Sequence, residues 1–304
     1  MRETVKVFEV GLRDGLQNES RYLSLSNKVW LAQQLVDVGL KDLELGAFVR
    51  PDRVPQMADS DLLFECIQSK KLKLRTAQAW CLIPNLIGLE RALAVGVTHF
   101  AIFTAATQSF AQSNIGMSIQ ESFREFTTVI AEARRRLGSR LKVRGYVSTA
   151  FGCPFEGKVP ARKALRVLER MATMGVDQIS IGDTIGVADP KLVETLIRPA
   201  LKELKGVEIA VHFHDTRGTA LANALRALDL GVRVIDSSIG GLGGCPFAPG
   251  AAGNLSTEDL VYMLNGMGMH TGVRLDALCN ISLKLAQKMK RPLTSRYLQA
   301  FAQR

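Results

Sequence analysis

Amphipathic helical runs alternate with short apolar runs along the chain, and at four joins the helical run closes on a glycine. The four joins read GLKDLELG from Gly39, GVTHFAIF from Gly96, GVDQISIG from Gly175 and GVRVIDSS from Gly231. A glycine just past a helix can take the left-handed cap that ends it, and the β-rich apolar run that follows enters a sheet. Four further strand-like runs lie between them: VKVFEV (5–10), LRTAQAW (74–80), LKVRGYV (141–147) and EIAVHFH (208–214). Helical segments are expected over 27–38, 86–95, 119–137, 161–174, 190–204 and 219–230. Strict alternation of strands and helices predicts a parallel sheet with right-handed crossovers. Eight such units point to an α/β fold, a TIM (β/α)8 barrel, with an additional C-terminal helix over 276–290 packed on the outside. A doubly wound open sheet would carry a Gly-rich phosphate turn after its first strand, and this chain has none there. No linker composition divides the chain. One catalytic domain is therefore expected over 1–304, with the barrel at about 4–270 and a helical extension at about 271–304.

Composition narrows the class. The 304 residues are 47% hydrophobic and 22% charged, the balance of a chain with a packed core rather than a disordered one. No stretch approaches the roughly 18 apolar residues of a membrane span. The start, MRETVKVFEV, has neither a signal-peptide h-region nor an Arg/Ser-rich leader, so a cytoplasmic place is expected. The five cysteines (Cys66, Cys81, Cys153, Cys245 and Cys279) form no C-x-x-C pair and read as reduced thiols. Lys and Arg number 39 against 29 Asp and Glu, a net charge of +10. The densest basic run, Arg134–Arg136, stands beside Glu132 and reads as a solvated helix face. Aromatic residues are 6% of the chain and do not interleave with basic ones, which argues against a polynucleotide partner. A small phosphate-bearing substrate suits the charge better.

In a barrel of this type the chemistry sits at the C-terminal ends of the strands. The unusual polar residues of the chain fall there. The first strand runs into Gly11-Leu12-Arg13-Asp14-Gly15-Leu16-Gln17-Asn18, where Arg13 offers a fixed cation and Asp14 a hard oxygen ligand. The seventh ends in Val211-His212-Phe213-His214-Asp215; residues two apart share a face, so both imidazoles project together. Two imidazoles beside a carboxylate suit a divalent metal, with oxygen ligands favouring Mg²⁺ or Mn²⁺. After the eighth strand, Gly240-Gly241-Leu242-Gly243-Gly244-Cys245-Pro246-Phe247 surrounds a thiol with glycines, as in loops that close over a site. Asn254 follows, its side-chain oxygen placed to face a cation, just before Ser256 or Thr257 caps the next helix. Glu44 and Asp183 stand near the ends of strands two and six, where either one is placed to orient Arg13 or bridge it to other polar groups, or to serve as a structural acid that satisfies backbone donors.

These motifs resemble those of the 3-hydroxy-3-methylglutaryl-CoA lyase family. The resemblance rests on EVGLRDGLQNE (9–19), RGYVSTAFGCPFEGK (144–158), ISIGDTIGVADP (179–190), AVHFHDTRGTALAN (210–223) and GGLGGCPFAPGAAGNLSTEDLVYML (240–264), and extends from about residue 4 to 285. The R-D and H-x-H elements are shared with a wider group of barrel metallolyases; the G-L-G-G-C-P loop narrows the match to the lyases. The resemblance implies retro-Claisen cleavage of an acyl-CoA to acetyl-CoA and acetoacetate. It further implies a divalent cation on Asp14, His212, His214 and Asn254, and Arg13 at the developing enolate. Cys245 would be the catalytic thiol, Glu44 and Asp183 supporting acids, and Gln17 a substrate contact. A homodimer in leucine or ketone-body metabolism is implied as well, with no membrane or nucleic-acid partner. Leu12, Leu45-Gly46-Ala47, Gly240 and Phe247 depart from the family pattern. Because the stretch after Glu44 and the loop are expected to line the acyl pocket, a substrate with a longer 3-alkyl branch is an alternative. A condensing enzyme of the same superfamily is another, although such chains usually carry an extra regulatory domain.

Overall fold

The computed structural model describes residues 3–244 and 253–303. Eight parallel strands close into a barrel: β1 (Lys6–Glu9), β2 (Asp42–Ala47), β3 (Gln78–Leu82), β4 (His99–Ala105), β5 (Lys142–Ser148), β6 (Gln178–Asp183), β7 (Glu208–Phe213) and β8 (Val234–Ser237). Each strand pairs with its neighbours in sequence, and β1 pairs with β8 to complete the circle. Helices form the outer ring: α1 (Leu25–Asp37), α2 (Ser60–Gln68), α3 (Leu86–Ala94), α4 (Gln108–Ile115), α5 (Ile119–Leu137), α6 (Ala161–Thr173), α7 (Pro190–Glu203), α8 (Ala220–Asp229) and α9 (Thr257–Gly266). Beyond them α10 (Leu275–Met289) and α11 (Arg296–Phe301) pack against α9 and each other.

The four glycine joins act as expected. Gly39, Gly96, Gly175 and Gly231 have φ of 113°, 76°, 75° and 108°, each just after a helix, where a side chain would be strained. Side-chain caps fix the other ends. Ser118 and Glu121 form a reciprocal capping box on α5, and Asn85, Asp189 and Ser256 accept from the first turns of α3, α7 and α9.

Three things differ from the sequence pattern. The third strand begins at Gln78 rather than 74, because the polar, partly exposed LRT run forms a turn whose Arg75 has φ of 55°. Helices α2, α4 and α11 and a small hairpin of Gly152–Cys153 with Gly157–Lys158 were not evident in the pattern; each is short. The residues after β1 wind into one π-type turn, Gly11–Gly15, closed by the Gly15 amide donating to the Val10 carbonyl at 3.1 Å. Such single turns recur at functional sites.

The apolar core fills the space between barrel and helices, as alternating side chains on each strand require. The inside of the barrel is different. Phe8, Val10, Trp80, Ala210 and Val234 form a separate small cluster there, and polar residues of the same inward phase lie above it. No helix among the described residues is long and apolar enough to cross a membrane.

Candidate active site at the C-terminal mouth of the barrel

A cavity of about 410 Å³ opens at the C-terminal ends of the strands. Its polar end holds Arg13, Asp14, His212 and His214; Val49, Val54, Leu82, Phe103 and Phe110 form an apolar wall. Gln17 also lines it.

The π-type turn after β1 sets Arg13 and Asp14 facing each other. Arg13 Nη1 donates to Asp14 Oδ1 at 2.8 Å, and Nε donates to Glu44 Oε2 at 2.7 Å. Glu44, at the middle of β2 and fully buried, also accepts from the Tyr146 hydroxyl at 3.0 Å. The Tyr146 ring lies under the guanidinium, 5.3 Å from Cζ to the centroid. Burial works against the Arg13 cation, but Glu44 and then Asp14 outweigh it and keep the arginine charged. With three contacts made, the fork keeps N–H donors for an oxygen in the cavity.

His212 and His214, two apart on and just past β7, project to the same side as expected, with ring centroids 5.2 Å apart. Asp14, His212 and His214 each offer a ligand atom, all within 4.8 Å of one another. Asn254 joins them through backbone pairing. The segment after the glycine loop runs antiparallel to the end of β7, with the Asp215 amide on the Gly253 carbonyl at 2.9 Å and the Leu255 amide on the Phe213 carbonyl at 3.0 Å. Gly253 also packs against the Gly243 carbonyl so closely that a β carbon would not fit. Asn254 Nδ2 then donates to Asp14 Oδ2 at 2.8 Å and to the Leu242 carbonyl at 3.1 Å.

The donor set fits a divalent cation. Asn254 Oδ1 and His214 Nδ1 are buried with no hydrogen-bond partner among the described residues, and such groups otherwise carry an uncompensated desolvation cost. Burial raises Asp14, but the neighbouring Arg13 and then the histidines outweigh it and hold the carboxyl below its ordinary range. Burial and the neighbouring His212 push His214 down to about 4, so its imidazole is neutral near pH 7, the form that ligates. For His212 burial is outweighed by its hydrogen bond to Asp236 and by Asp14, and its pKa is raised.

Asp183 takes another place. Its carboxylate accepts from the Val187 and Ala188 amides at 3.0 and 2.9 Å, so it shapes the loop after β6 and makes no contact with Arg13. Burial raises its pKa despite those amides. Of the departing stretch Leu45-Gly46-Ala47, Gly46 packs against Ser60 of α2 and the Ala47 amide donates to Ser60 Oγ at 3.1 Å. The cavity wall is formed two residues further on, by Val49. Cys245 and Phe247 lie outside the described residues.

Several residues beneath the site were missed by the sequence reading. Asp236, Arg144 and Tyr146 sit inside the barrel; the available signal was a charge interrupting an apolar strand in RVID and KVRGY. Two buried acids, Glu9 and Glu258, hold the backbone around the site. Glu9 Oε1 accepts from the Gly11 and Ile239 amides at 2.8 and 2.9 Å, and Glu258 accepts from the Gly240 amide at 2.8 Å. Burial raises Glu9 to about 7. Its folded-state pKa thus lies above the ordinary value of 4.5, so stability falls as pH rises from about 4.5 to 7, by up to about 3 kcal/mol. Glu9→Gln keeps both amides bound and stays neutral. The variant is expected to lose less thermal stability than the parent between pH 5 and pH 8, by a few degrees in Tm; equal pH slopes in the two proteins would refute the assignment.

The chain matches the HMGL-like family model over residues 4–284. It is 45% identical over 296 residues to the mitochondrial hydroxymethylglutaryl-CoA lyase of Homo sapiens, covering 97% of this chain and 89% of the relative. Its structure superposes on that of hydroxymethylglutaryl-CoA lyase from Pseudomonas aeruginosa with a TM-score of 0.94, at 40% identity and with 100% and 99% of the two chains covered. An HMG-CoA lyase from Acinetobacter baumannii, solved in complex with coenzyme A and 3-methylmalate, superposes with a TM-score of 0.91, at 35% identity over 98% of this chain and 95% of that one.

Proposed function

The chain belongs to the HMGL-like family, and from that premise we propose that it cleaves 3-hydroxy-3-methylglutaryl-CoA to acetyl-CoA and acetoacetate, with Mg²⁺ or Mn²⁺ held by Asp14, His212, His214 and Asn254. The observation that carries this reading is the convergence, beside Arg13, of Asp14 and two imidazoles in one cavity, with the Asn254 amide oxygen, which has no partner among the described residues, next to Asp14.

The reaction breaks one carbon–carbon bond. The substrate hydroxyl loses its proton and its oxygen becomes the new ketone of acetoacetate. The electron pair of the broken bond passes to the thioester α-carbon as an enolate, which a proton then quenches to acetyl-CoA. A divalent cation held by Asp14, His212, His214 and Asn254 would supply Lewis acidity that lowers the pKa of the substrate hydroxyl. Arg13, braced by Glu44 and Asp14, directs its remaining donors at the enolate oxygen, where charge develops. Because the brace is already formed, little reorganisation is needed as that charge appears. The family resemblance assigns the quenching proton to Cys245. Asp183 acts through the loop backbone that it holds.

In this reading the nucleotide end of a coenzyme A ester would extend out of the cavity toward solvent. Arg53 lines the cavity, while the neighbouring Asp52 is engaged by Arg50 at 2.7 Å. The excess positive charge of the chain suits the phosphates there. The apolar wall of Val49, Leu82, Phe103 and Phe110 favours a second reading for the acyl group, a 3-alkyl branch longer than methyl.

Incubation of the protein with 3-hydroxy-3-methylglutaryl-CoA and Mg²⁺ is expected to give acetoacetate and acetyl-CoA in equal amounts. Absence of acetoacetate would sink the lyase assignment, and a series of longer-branched esters ranks the acyl preference by kcat/KM.

A further inference from the structure

An unbroken line of polar side chains runs inside the barrel from the metal-ligand cluster to the opposite end. His212 Nε2 faces Asp14 Oδ2 at 3.9 Å, and its Nδ1 lies 3.2 Å from Asp236 Oδ2. The other oxygen of Asp236 accepts from Arg144 Nη2. Arg144 Nη1 donates to Gln178 Oε1, Gln178 Nε2 donates to Glu208 Oε2 at 2.7 Å, and Lys6 Nζ closes the line on Glu208 Oε1 at 2.8 Å at the exposed rim.

The barrel register creates this line. Asp236 on β8 stands opposite His212 on β7, and Arg144 on β5 stands opposite Gln178 on β6, all pointing inward. Arg144 has no exposed surface and is clamped between rings, with Cζ 3.8 Å from the Phe8 centroid and 4.8 Å from that of Tyr146. A buried ion pair of this kind often adds no stability over apolar residues of the same volume. Its geometry gives it another use. The Asp236 carboxylate accepts from Arg144 on one oxygen and from Ser180 Oγ at 2.9 Å on the other, so it can only accept from His212 as well. In the neutral ring the single imidazole proton is thereby placed on Nδ1, which leaves the Nε2 lone pair facing Asp14.

We propose that Arg144 is a positioning residue for the metal centre: it fixes Asp236, which fixes the tautomer and ring orientation of His212 as a ligand. The proposal rests on the reading of His212 as a metal ligand given above. Outer partners of ligating histidines typically govern metal affinity by about 10–100-fold.

The test uses the full chain stripped of metal, with Mn²⁺ affinity measured by electron paramagnetic resonance of the free ion. Nitrogen-15 spectra of the imidazoles, recorded at a pH where the His212 ring is neutral, report its tautomer in the metal-free protein. Arg144→Lys keeps the charge but not the planar fork, and is expected to weaken Mn²⁺ binding about tenfold; Arg144→Met and Asp236→Asn should approach a hundredfold. The wild-type spectrum should show the proton on Nδ1, and the variants a mixture of tautomers. If Arg144→Met does not fold, the lysine variant carries the measurement. Variants that melt earlier yet bind Mn²⁺ like the wild type, with the proton still on Nδ1, would overturn the proposal. Failure of the wild type itself to bind Mn²⁺ would refute the metal site, and the metal-free spectra would still decide the role of Arg144.

Discussion

Arg13→Ala is expected to lower kcat by at least about 10²–10³-fold, the cost of losing one donor to a developing oxyanion, with Mn²⁺ still bound. The size follows from the arrangement of the site. Arg13 is held on Glu44 and Asp14 at 2.7 and 2.8 Å, so its position does not depend on the substrate. The four proposed ligands remain in the variant, which makes retained Mn²⁺ binding the control. Removing one partner of a buried pair also costs stability, of the order of 3–5 kcal/mol where the remaining charge stays unpaired. Glu44 is left in that position, so thermal denaturation must accompany the kinetics. Arg13→Lys separates the two effects: it keeps a cation for Glu44 but loses the fork, and should recover stability with little recovery of kcat. Normal turnover in Arg13→Ala would remove the proposed role.

The second large effect is expected from the proposed metal ligands. His214→Ala should weaken Mn²⁺ binding by more than the roughly 10²-fold that loss of an outer partner costs, and turnover should fall with it. Among the described residues His214 Nδ1 has no hydrogen-bond partner, and burial keeps the ring neutral near pH 7. Treatment of the wild type with a chelator should abolish turnover, and Mg²⁺ or Mn²⁺ should restore it; in His214→Ala the ion should restore little. Full activity after exhaustive chelation would exclude the proposed dependence on a cation. Asn254→Ala offers an independent check, since its amide both presents Oδ1 and donates to Asp14 Oδ2.

How much of this was legible in the sequence depends on the range of the interactions. The glycine joins at Gly39, Gly96, Gly175 and Gly231 are local signals, because a positive φ after a helix is decided by the residue at that position. His212 and His214 announced themselves in the same way, through the two-residue period of a strand. The Arg13–Asp14 pair stood out by its place after the first strand, but the turn that holds it did not. That turn depends on Glu9 reaching the Gly11 amide and Ile239, far along the chain. For Asp183 the structure decides between the two readings the sequence left open. An acid at a strand end looked like a partner for Arg13, yet the nearby Val187 and Ala188 amides take both of its oxygens.

The sequence by itself determined the alternation of strands and helices, the barrel that follows from it, and most residues that meet at its mouth. Periodicity, glycine placement and strand-end position are properties of short segments, and a single chain displays them. The tertiary structure alone decided which groups are paired and which are left open. Strand register set Asp236 beside His212, and Arg144 and Ser180 on Asp236. Pairing of the 253–255 segment with β7 brought Asn254 to Asp14 across 240 positions of sequence. Closing the barrel fixes these contacts together, and the energy of a buried polar group depends on its partner in space rather than on its neighbours in the chain.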